Sequence, residues 1–150
     1  MKRILGLAFA VLALAAAACG GDTADKNEYV TSVNNAQAAL TASMAKINPG
    51  GTDPKAIAAE LDEGADALDK TTDDFKAITP PDDAKGAHAK IVKGLSALAD
   101  TFREAADAAR EKDTAKMVEL LSGIQTSAGA KELEAAQKEL TANGYKFKDA

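Results

Sequence analysis

Few side chains of this sequence are of types that perform metal or acid–base chemistry. Its 150 residues include one histidine, His88. A histidine on a helix can ligate haem iron together with a methionine. The candidate methionines, Met44 and Met117, fall on the order of 20 Å from His88 at helical rise. A di-iron site would need Glu-x-x-His twice, and the sequence contains none. These patterns predict no catalytic residue, no metal site and no cofactor.

The alternative role for His88 is structural. Its place in a helical apolar stripe predicts a half-buried imidazole, which needs a hydrogen-bond partner. The side chains expected at its height are Thr71 or Thr72 on the preceding helix and Tyr29 on the first. We predict that these four residues form either a structural polar cluster or the lining of a small-ligand cavity between the helices.

Four aspartates form a second group that could bind a ligand. Asp62, Asp66, Asp69 and Asp73 recur at steps of four and three, which places them on one helix face. Carboxylate oxygens are the ligands that hard cations prefer, so the face could hold a cation. A straight stripe does not wrap an ion, however, and the same spacing is typical of a solvated acidic face eased by Lys70.

The only cysteine, Cys19, follows an apolar segment near the N-terminus. Lys2 and Arg3 precede a run from Ile4 to Ala18 that only Gly6 interrupts. That order of basic, apolar and small residues is typical of a signal peptide, and the run is shorter than the ~20 residues that span a membrane. The segment resembles the bacterial lipobox, in which the cysteine thiol receives diacylglycerol. Where that pattern usually has Leu, three residues before the cysteine, this chain has Ala16.

Composition restricts the class of protein that residues 19–150 can form. The formal net charge is −5, and loss of Lys2 and Arg3 with the signal makes it more negative. An acidic balance argues against a nucleic-acid partner. A single cysteine excludes an internal disulfide. With no tryptophan and 4% aromatic residues, the core must be aliphatic and rich in alanine, which favours closely packed helices.

Four segments have helical apolar spacing, joined by short connections. The second and third show alternating steps of three and four, which is typical of helices packed side by side. The predicted inward positions are Val30, Val33, Leu40, Met44 and Ile47 in the first segment; Ile57, Leu61, Gly64, Leu68, Thr71, Phe75 and Ile78 in the second; Ala84, His88, Ile91, Leu95, Leu98, Phe102, Ala105 and Ala109 in the third; and Met117, Leu121, Ile124, Ala128, Leu133, Ala136 and Leu140 in the fourth.

Residues at the ends of these segments predict the helix boundaries. Asp25, Asp53 and Asp113 are predicted N-caps, and Thr79-Pro80-Pro81 is a predicted break. Apolar spacing loses phase near Gly129, so the fourth helix is expected to be the weakest.

Short connections make consecutive helices antiparallel. We therefore predict an all-α, up-down-up-down four-helix bundle over 25–150, after a cleaved lipoprotein signal peptide over 1–18 and a lipidated tether over 19–24. In this topology Cys19, the Thr79-Pro80-Pro81 turn and the C-terminus share one end of the bundle, and that end is expected to face the membrane.

A second resemblance comes from Pro80-Pro81, six residues, then His88 and Ile91-Val92-x-Gly94-Leu95. This pattern is similar to small helical lipoproteins of actinobacteria. This resemblance supports the fold and the location and adds no activity. Together with Cys19, the sequence predicts a non-enzymatic interaction or scaffold protein, held by acyl chains such as palmitate on the extracytoplasmic face of the cell membrane. Its expected partners are the membrane and an envelope protein. The alternative is a small-ligand or cation-binding module that uses the face from Asp62 to Asp73 or a cavity near His88.

Overall fold

Helices dominate the structure, which is a computed structural model describing residues 21–45 and 53–147. The α-helices are α1 Gly21–Met44, α2 Pro54–Ala77, α3 Lys85–Arg110, α4 Thr114–Gly123 and α5 Ala128–Ala142. Single 3-10 turns, Asp82–Ala84 and Ile124–Thr126, precede α3 and α5. The described residues contain no strand. The predicted all-α four-helix bundle is confirmed, with α4 and α5 together forming the fourth arm. Residues 1–18 and Cys19 lie outside the described part of the chain.

Two of the predicted caps are made as expected. Asp53 accepts a hydrogen bond from the Lys55 backbone N–H at 3.1 Å, and Pro54 occupies the first turn of α2, where its missing N–H is not needed. Asp113 accepts from the Lys116 N–H at 2.9 Å and starts α4. These side chains satisfy backbone donors that have no partner within the helix.

The first helix differs from its prediction in its start and in its inward face. α1 begins at Gly21, so Asp25 lies inside the helix and is not its cap, and the predicted tether is helical from Gly21 onward. Of the α1 side chains that the structure describes, Tyr29 is the most buried, whereas the neighbouring Val30 is only half-buried. The buried stripe therefore runs through Tyr29, Val33 and Ala36. Polar and apolar residues are only weakly segregated onto separate faces of α1, so its sequence does not predict which face is buried.

The fourth arm consists of two separate helices, so the interruption is larger than the loss of apolar phase that the sequence predicted. α4 ends at Gly123, one 3-10 turn follows, and Ser127 caps α5 by accepting from the Ala130 N–H at 3.1 Å. The break resets the phase, so that Gly129, Ala136 and Leu140 are buried on one face of α5. No residue of α4 is buried, and α4 packs mainly against α3.

Two apolar clusters make the core. The larger joins all four arms around Leu68, Phe75, Leu95 and Leu140. The smaller lies between the beginning of α2 and the end of α3, with half-buried side chains of α4 beside it, and its buried members are Ala58, Leu61, Ala105, Ala106 and Ala109. Alanine at these contacts leaves little side chain between the helices, which allows the backbones of α2 and α3 to approach closely.

A Schellman motif ends α5. The Gly144 N–H donates to the Thr141 carbonyl and the Tyr145 N–H to the Leu140 carbonyl, both at 3.0 Å. Gly144 has φ of +84°, the left-handed conformation that this cap requires. The turn directs residues 145–147 back across the end of the bundle, towards the start of α1 and the α2–α3 connection. The start of α1, the α2–α3 connection and the residues after α5 therefore meet at one end of the bundle, whereas Cys19 and the C-terminal residues predicted to lie there are outside the described part of the chain.

Candidate functional site

The candidate site is centred on a buried pair of polar side chains from two helices. Tyr29 Oη on α1 lies 3.1 Å from His88 Nδ1 on α3. Tyr29 is 2% exposed and His88 is 8% exposed, so water does not take the place of either partner. The inward position predicted for His88 is confirmed, and of its three predicted partners Tyr29 makes the bond.

Surrounding atoms favour the uncharged form of both side chains. Burial lowers the pKa of His88, and a hydrogen bond with the Phe75 backbone opposes that shift in part. Donor and acceptor in the Tyr29–His88 bond are set by the imidazole tautomer: Nδ1 accepts from the Tyr29 hydroxyl when Nε2 carries the ring proton. Burial also raises the pKa of Tyr29 to about 12.

Thr71 and Thr72 are also buried, but neither hydroxyl bonds to this pair. Thr71 Oγ1 donates to the Ala67 carbonyl and Thr72 Oγ1 to the Leu68 carbonyl, each at 2.8 Å. Both hydroxyls thus bond one turn back within α2, a common alternative for threonine in helices. The predicted four-residue cluster contains one cross-helix bond, between Tyr29 and His88, and its two threonines are satisfied by their own helix.

Aromatic rings extend the pair to the end of the bundle. The ring centroid of Tyr145 lies 5.7 Å from that of Tyr29, edge to face, and Phe147 stacks on Tyr145 at 6.3 Å. On the other side, the Phe75 ring lies 5.9 Å from the His88 ring. Such geometry is favoured by the ring quadrupoles. Most of the aromatic side chains of a chain with few of them are therefore concentrated here.

A polar network around Asp83 lies next to these rings. Asp83 Oδ1 accepts from Tyr145 Oη at 2.6 Å, and Oδ2 pairs with Lys26 Nζ at 2.5 Å. The Asp83 carbonyl accepts from Asn143 Nδ2 at 2.6 Å, and Lys26 Nζ lies 5.0 Å from the centroid of the Tyr145 ring. Lys26 and then Tyr145 lower the pKa of Asp83. This network connects α1, the 3-10 turn before α3 and the residues after α5.

An open cleft of about 560 Å³ lies between the first turns of α1 and the end of α2. Tyr29 lines it together with Asp25, Glu28 and Ser32, and the opposite wall is formed by residues 77–81. Neither Asp25 nor Glu28 is in an ion pair with another described residue. Of the four residues predicted to form a cluster or to line a cavity, only Tyr29 lines this cleft, and His88 is not among its lining residues.

The four aspartates on α2 are largely matched by basic side chains. Asp62 pairs with Arg110 and Asp69 with Arg103, which both reach across from α3. Hydrogen bonding by Asp69 raises the pKa of the Arg103 guanidinium.

The remaining basic partners lie on α2 itself. Asp73 pairs with Lys76 at 3.0 Å, and Lys70 bonds Asp74 at 2.8 Å, not Asp66. Within the described residues, no group of three His, Cys, Asp or Glu side chains could hold a metal ion.

Sequence reasoning missed the network around Asp83. Asp83 lies just before α3, and an acid at the start of a helix is favourable in its own right, so its position in the sequence gives no sign of its bonds to Lys26 and Tyr145. The partners lie far apart in sequence, since Tyr145 follows Asp83 by 62 positions. One feature of the sequence could have indicated the network: two aromatic residues, Tyr145 and Phe147, follow the last helix in a chain that has few aromatic residues.

Comparisons with known proteins add no family to these observations: no family model, curated protein or solved structure matches the chain. Over residues 21–45 and 53–147, no helix is both long enough and apolar enough to cross a membrane. The lipidation residue predicted from the sequence, Cys19, lies outside that part of the chain.

Proposed function

We propose that this protein is a non-enzymatic lipoprotein of the cell envelope, anchored through Cys19 on the extracytoplasmic face of the membrane and similar to small helical lipoproteins of actinobacteria. One observation carries the proposal. The only cysteine of the chain follows a basic start and the apolar run from Ile4 to Ala18. Two acyl chains, such as palmitate, would hold it firmly, since each buried CH₂ contributes ~0.8 kcal/mol and one chain alone is marginal.

The position of the bundle relative to the bilayer follows from this anchor. Helix α1 begins at Gly21, two residues after Cys19, and two residues of chain reach at most about 7 Å. The end that carries Asp83 and Tyr145 would therefore face the lipid headgroups. The far end, with the Lys112 turn and α4, would point away from the membrane.

An interaction role accounts for the rest of the molecule better than catalysis does. His88, the only imidazole, is bonded to Tyr29 and to the Phe75 backbone, so it has no free position next to a nucleophile. The net charge of −5 argues against nucleic acid. We propose that the bundle surface meets another envelope protein, and crosslinking of the lipidated protein in its native envelope would identify that partner.

The anchor is tested by Cys19→Ser. This variant should lose incorporation of a palmitate analogue and should leave the detergent phase, because serine offers no thiol for the thioether. Gly20→Ala is the matched control, since it changes the next residue and keeps the thiol. Partitioning that is the same for Cys19→Ser and for the parent would contradict the lipoprotein proposal.

A second candidate function is binding of a small organic cation, and the cleft beside Tyr29 favours it. The carboxylates of Asp25 and Glu28 lie on one wall, and Ile78 and Pro80 on the other. Such a cleft offers two anionic groups to an amine and an apolar wall to its alkyl chain.

Calorimetric titration with spermidine tests this candidate. Binding should weaken in Glu28→Gln and stay unchanged in Glu104→Gln, a control that removes an acid outside the cleft. Equal heats for the two variants, or none for the parent, would count against the cleft as a cation site.

A further inference from the structure

The chain after α5 bonds to parts of the bundle that its own helix does not reach. Residues 143–147, here called the clasp, turn back at Gly144. Asn143 Nδ2 and Tyr145 Oη both donate to Asp83, one to its carbonyl and one to its carboxylate, each at 2.6 Å. Tyr145 and Phe147 are buried although they follow the last helix.

The same residues hold the first turns of α1. Lys26 Nζ lies 2.5 Å from Asp83 Oδ2 and 3.3 Å from the Asn143 carbonyl, and its ammonium faces the Tyr145 ring. One turn further on, Tyr29 packs edge-on against Tyr145 at 5.7 Å between centroids. The beginning of α1 is thus fixed between the clasp and the turn before α3.

Beyond these turns, α1 is held less firmly than the other long helices. Among its described side chains, over 25–44, the buried ones are Tyr29, Val33 and Ala36, and α1 packs mainly against α2. The smaller cluster, which joins α2 to the end of α3, contains no described residue of α1. α2 and α3 therefore keep apolar contacts of their own without α1, and α5 packs against α3.

We infer that the clasp holds α1 on the bundle. When the contacts of the clasp break, α1 detaches while α2, α3 and α5 stay folded. Local opening of this kind occurs where few buried contacts hold an element and its bonds are exposed. Release of α1 would uncover the apolar side chains of Leu68 and Leu140, which share a cluster with Val33. The inference does not depend on the lipid anchor, because every contact in it lies within residues 21–147.

Amide hydrogen exchange tests the clasp by comparing α1 with α3. Tyr145→Ala removes the ring against Tyr29 and the hydroxyl bond to Asp83. Loss of buried partners of this kind should accelerate exchange over 25–40 about tenfold or more, and exchange over 91–99 in α3 should stay at the parent rate. Asp83→Asn, which keeps the side-chain shape and removes its charge, should give the same pattern more weakly.

Lys93→Met is the matched control, since Lys93 pairs with Glu132 at 2.5 Å between α3 and α5 without touching α1. It should leave exchange in α1 unchanged. Equal acceleration of α1 and α3 in both clasp variants would mean that α1 leaves only when the whole bundle unfolds, and unchanged α1 would mean that the clasp does not hold it. Either result overturns the inference.

Discussion

Gly94 on α3 and Gly129 at the start of α5 lie back to back where these two helices cross. A Cβ atom on Gly94 would lie 2.9 Å from the Gly129 carbonyl oxygen, and one on Gly129 would lie 2.7 Å from the Gly94 carbonyl oxygen. Both distances are shorter than real Cβ contacts, and the atoms that they meet belong to the backbone. The backbones therefore approach this closely only because neither residue has a side chain.

Alanine at either position should push α3 and α5 apart. We expect Gly94→Ala and Gly129→Ala each to lower the free energy of unfolding by about 1–3 kcal/mol, the usual cost of overpacking, measured by urea denaturation. Gly123→Ala is the control, because a Cβ there meets nothing within 4 Å, and it should stabilise the protein by about 0.5–1 kcal/mol. Equal effects at Gly94 and Gly123 would contradict the close crossing.

This crossing also shows what the sequence could and could not predict. The steps of three and four in α2 and α3 predicted their inward faces, including His88, because long amphipathic segments have one consistent solution. The loss of phase near Gly129 was visible as a weakness in the fourth helix. It did not reveal that Gly129 faces Gly94, because the close approach depends on how two helices cross in space.

The candidate site was predictable in the same limited way. The apolar stripe of α3 indicated that His88 is buried and needs a hydrogen-bond partner. The three candidate partners followed from their positions along the neighbouring helices, level with His88. Choosing Tyr29 over Thr71 required the rotation of α1, which its weakly amphipathic sequence leaves open. Threonine can also satisfy itself one turn back in its own helix, and a pattern of apolar residues carries no information about that choice.

The Tyr29–His88 bond changes the expected cost of replacing His88. The apolar stripe of α3 alone predicts that His88→Leu leaves the free energy of unfolding unchanged or raises it, because leucine fits an apolar position better than histidine does. In the structure, this change would leave the Tyr29 hydroxyl buried without its hydrogen-bond partner, which costs about 1–3 kcal/mol. We therefore expect His88→Leu to lower the free energy of unfolding.

A double-mutant cycle separates the lost bond from the lost packing. Tyr29→Phe combined with His88→Leu removes both partners, so the double variant should be more stable than the sum of the single changes by about 0.5–3 kcal/mol. Chemical denaturation of all four proteins measures this coupling. Additive single effects would show that the 3.1 Å contact contributes nothing to stability.

Stability should depend on pH through His88. Burial lowers its pKa in the folded protein from the ordinary 6.5, so below that value the unfolded chain binds a proton that the folded chain does not. The contribution is fully present above pH 6.5 and is lost as the pH falls below it, with a slope of at most about 1.4 kcal/mol per pH unit. Urea denaturation between pH 7.5 and 5.5 should show this loss of stability in the parent. The variant that combines Tyr29→Phe with His88→Leu should not show it.

The tyrosines of the same end should produce the opposite dependence at high pH. Burial raises the pKa of Tyr29 from 10.0 to about 12, and burial with the hydrogen bond to Asp83 raises that of Tyr145. In the unfolded chain both hydroxyls ionise near 10, so the folded protein holds its protons longer. Their contribution is complete below pH 10 and declines as the pH rises above it. Urea denaturation between pH 9 and 11 should show this decline in the parent and a smaller decline in Tyr29→Phe and in Tyr145→Phe. The decline should be smallest in the variant that combines these two phenylalanine substitutions. A decline that persists unchanged after both hydroxyls are removed would assign the alkaline loss of stability to other groups.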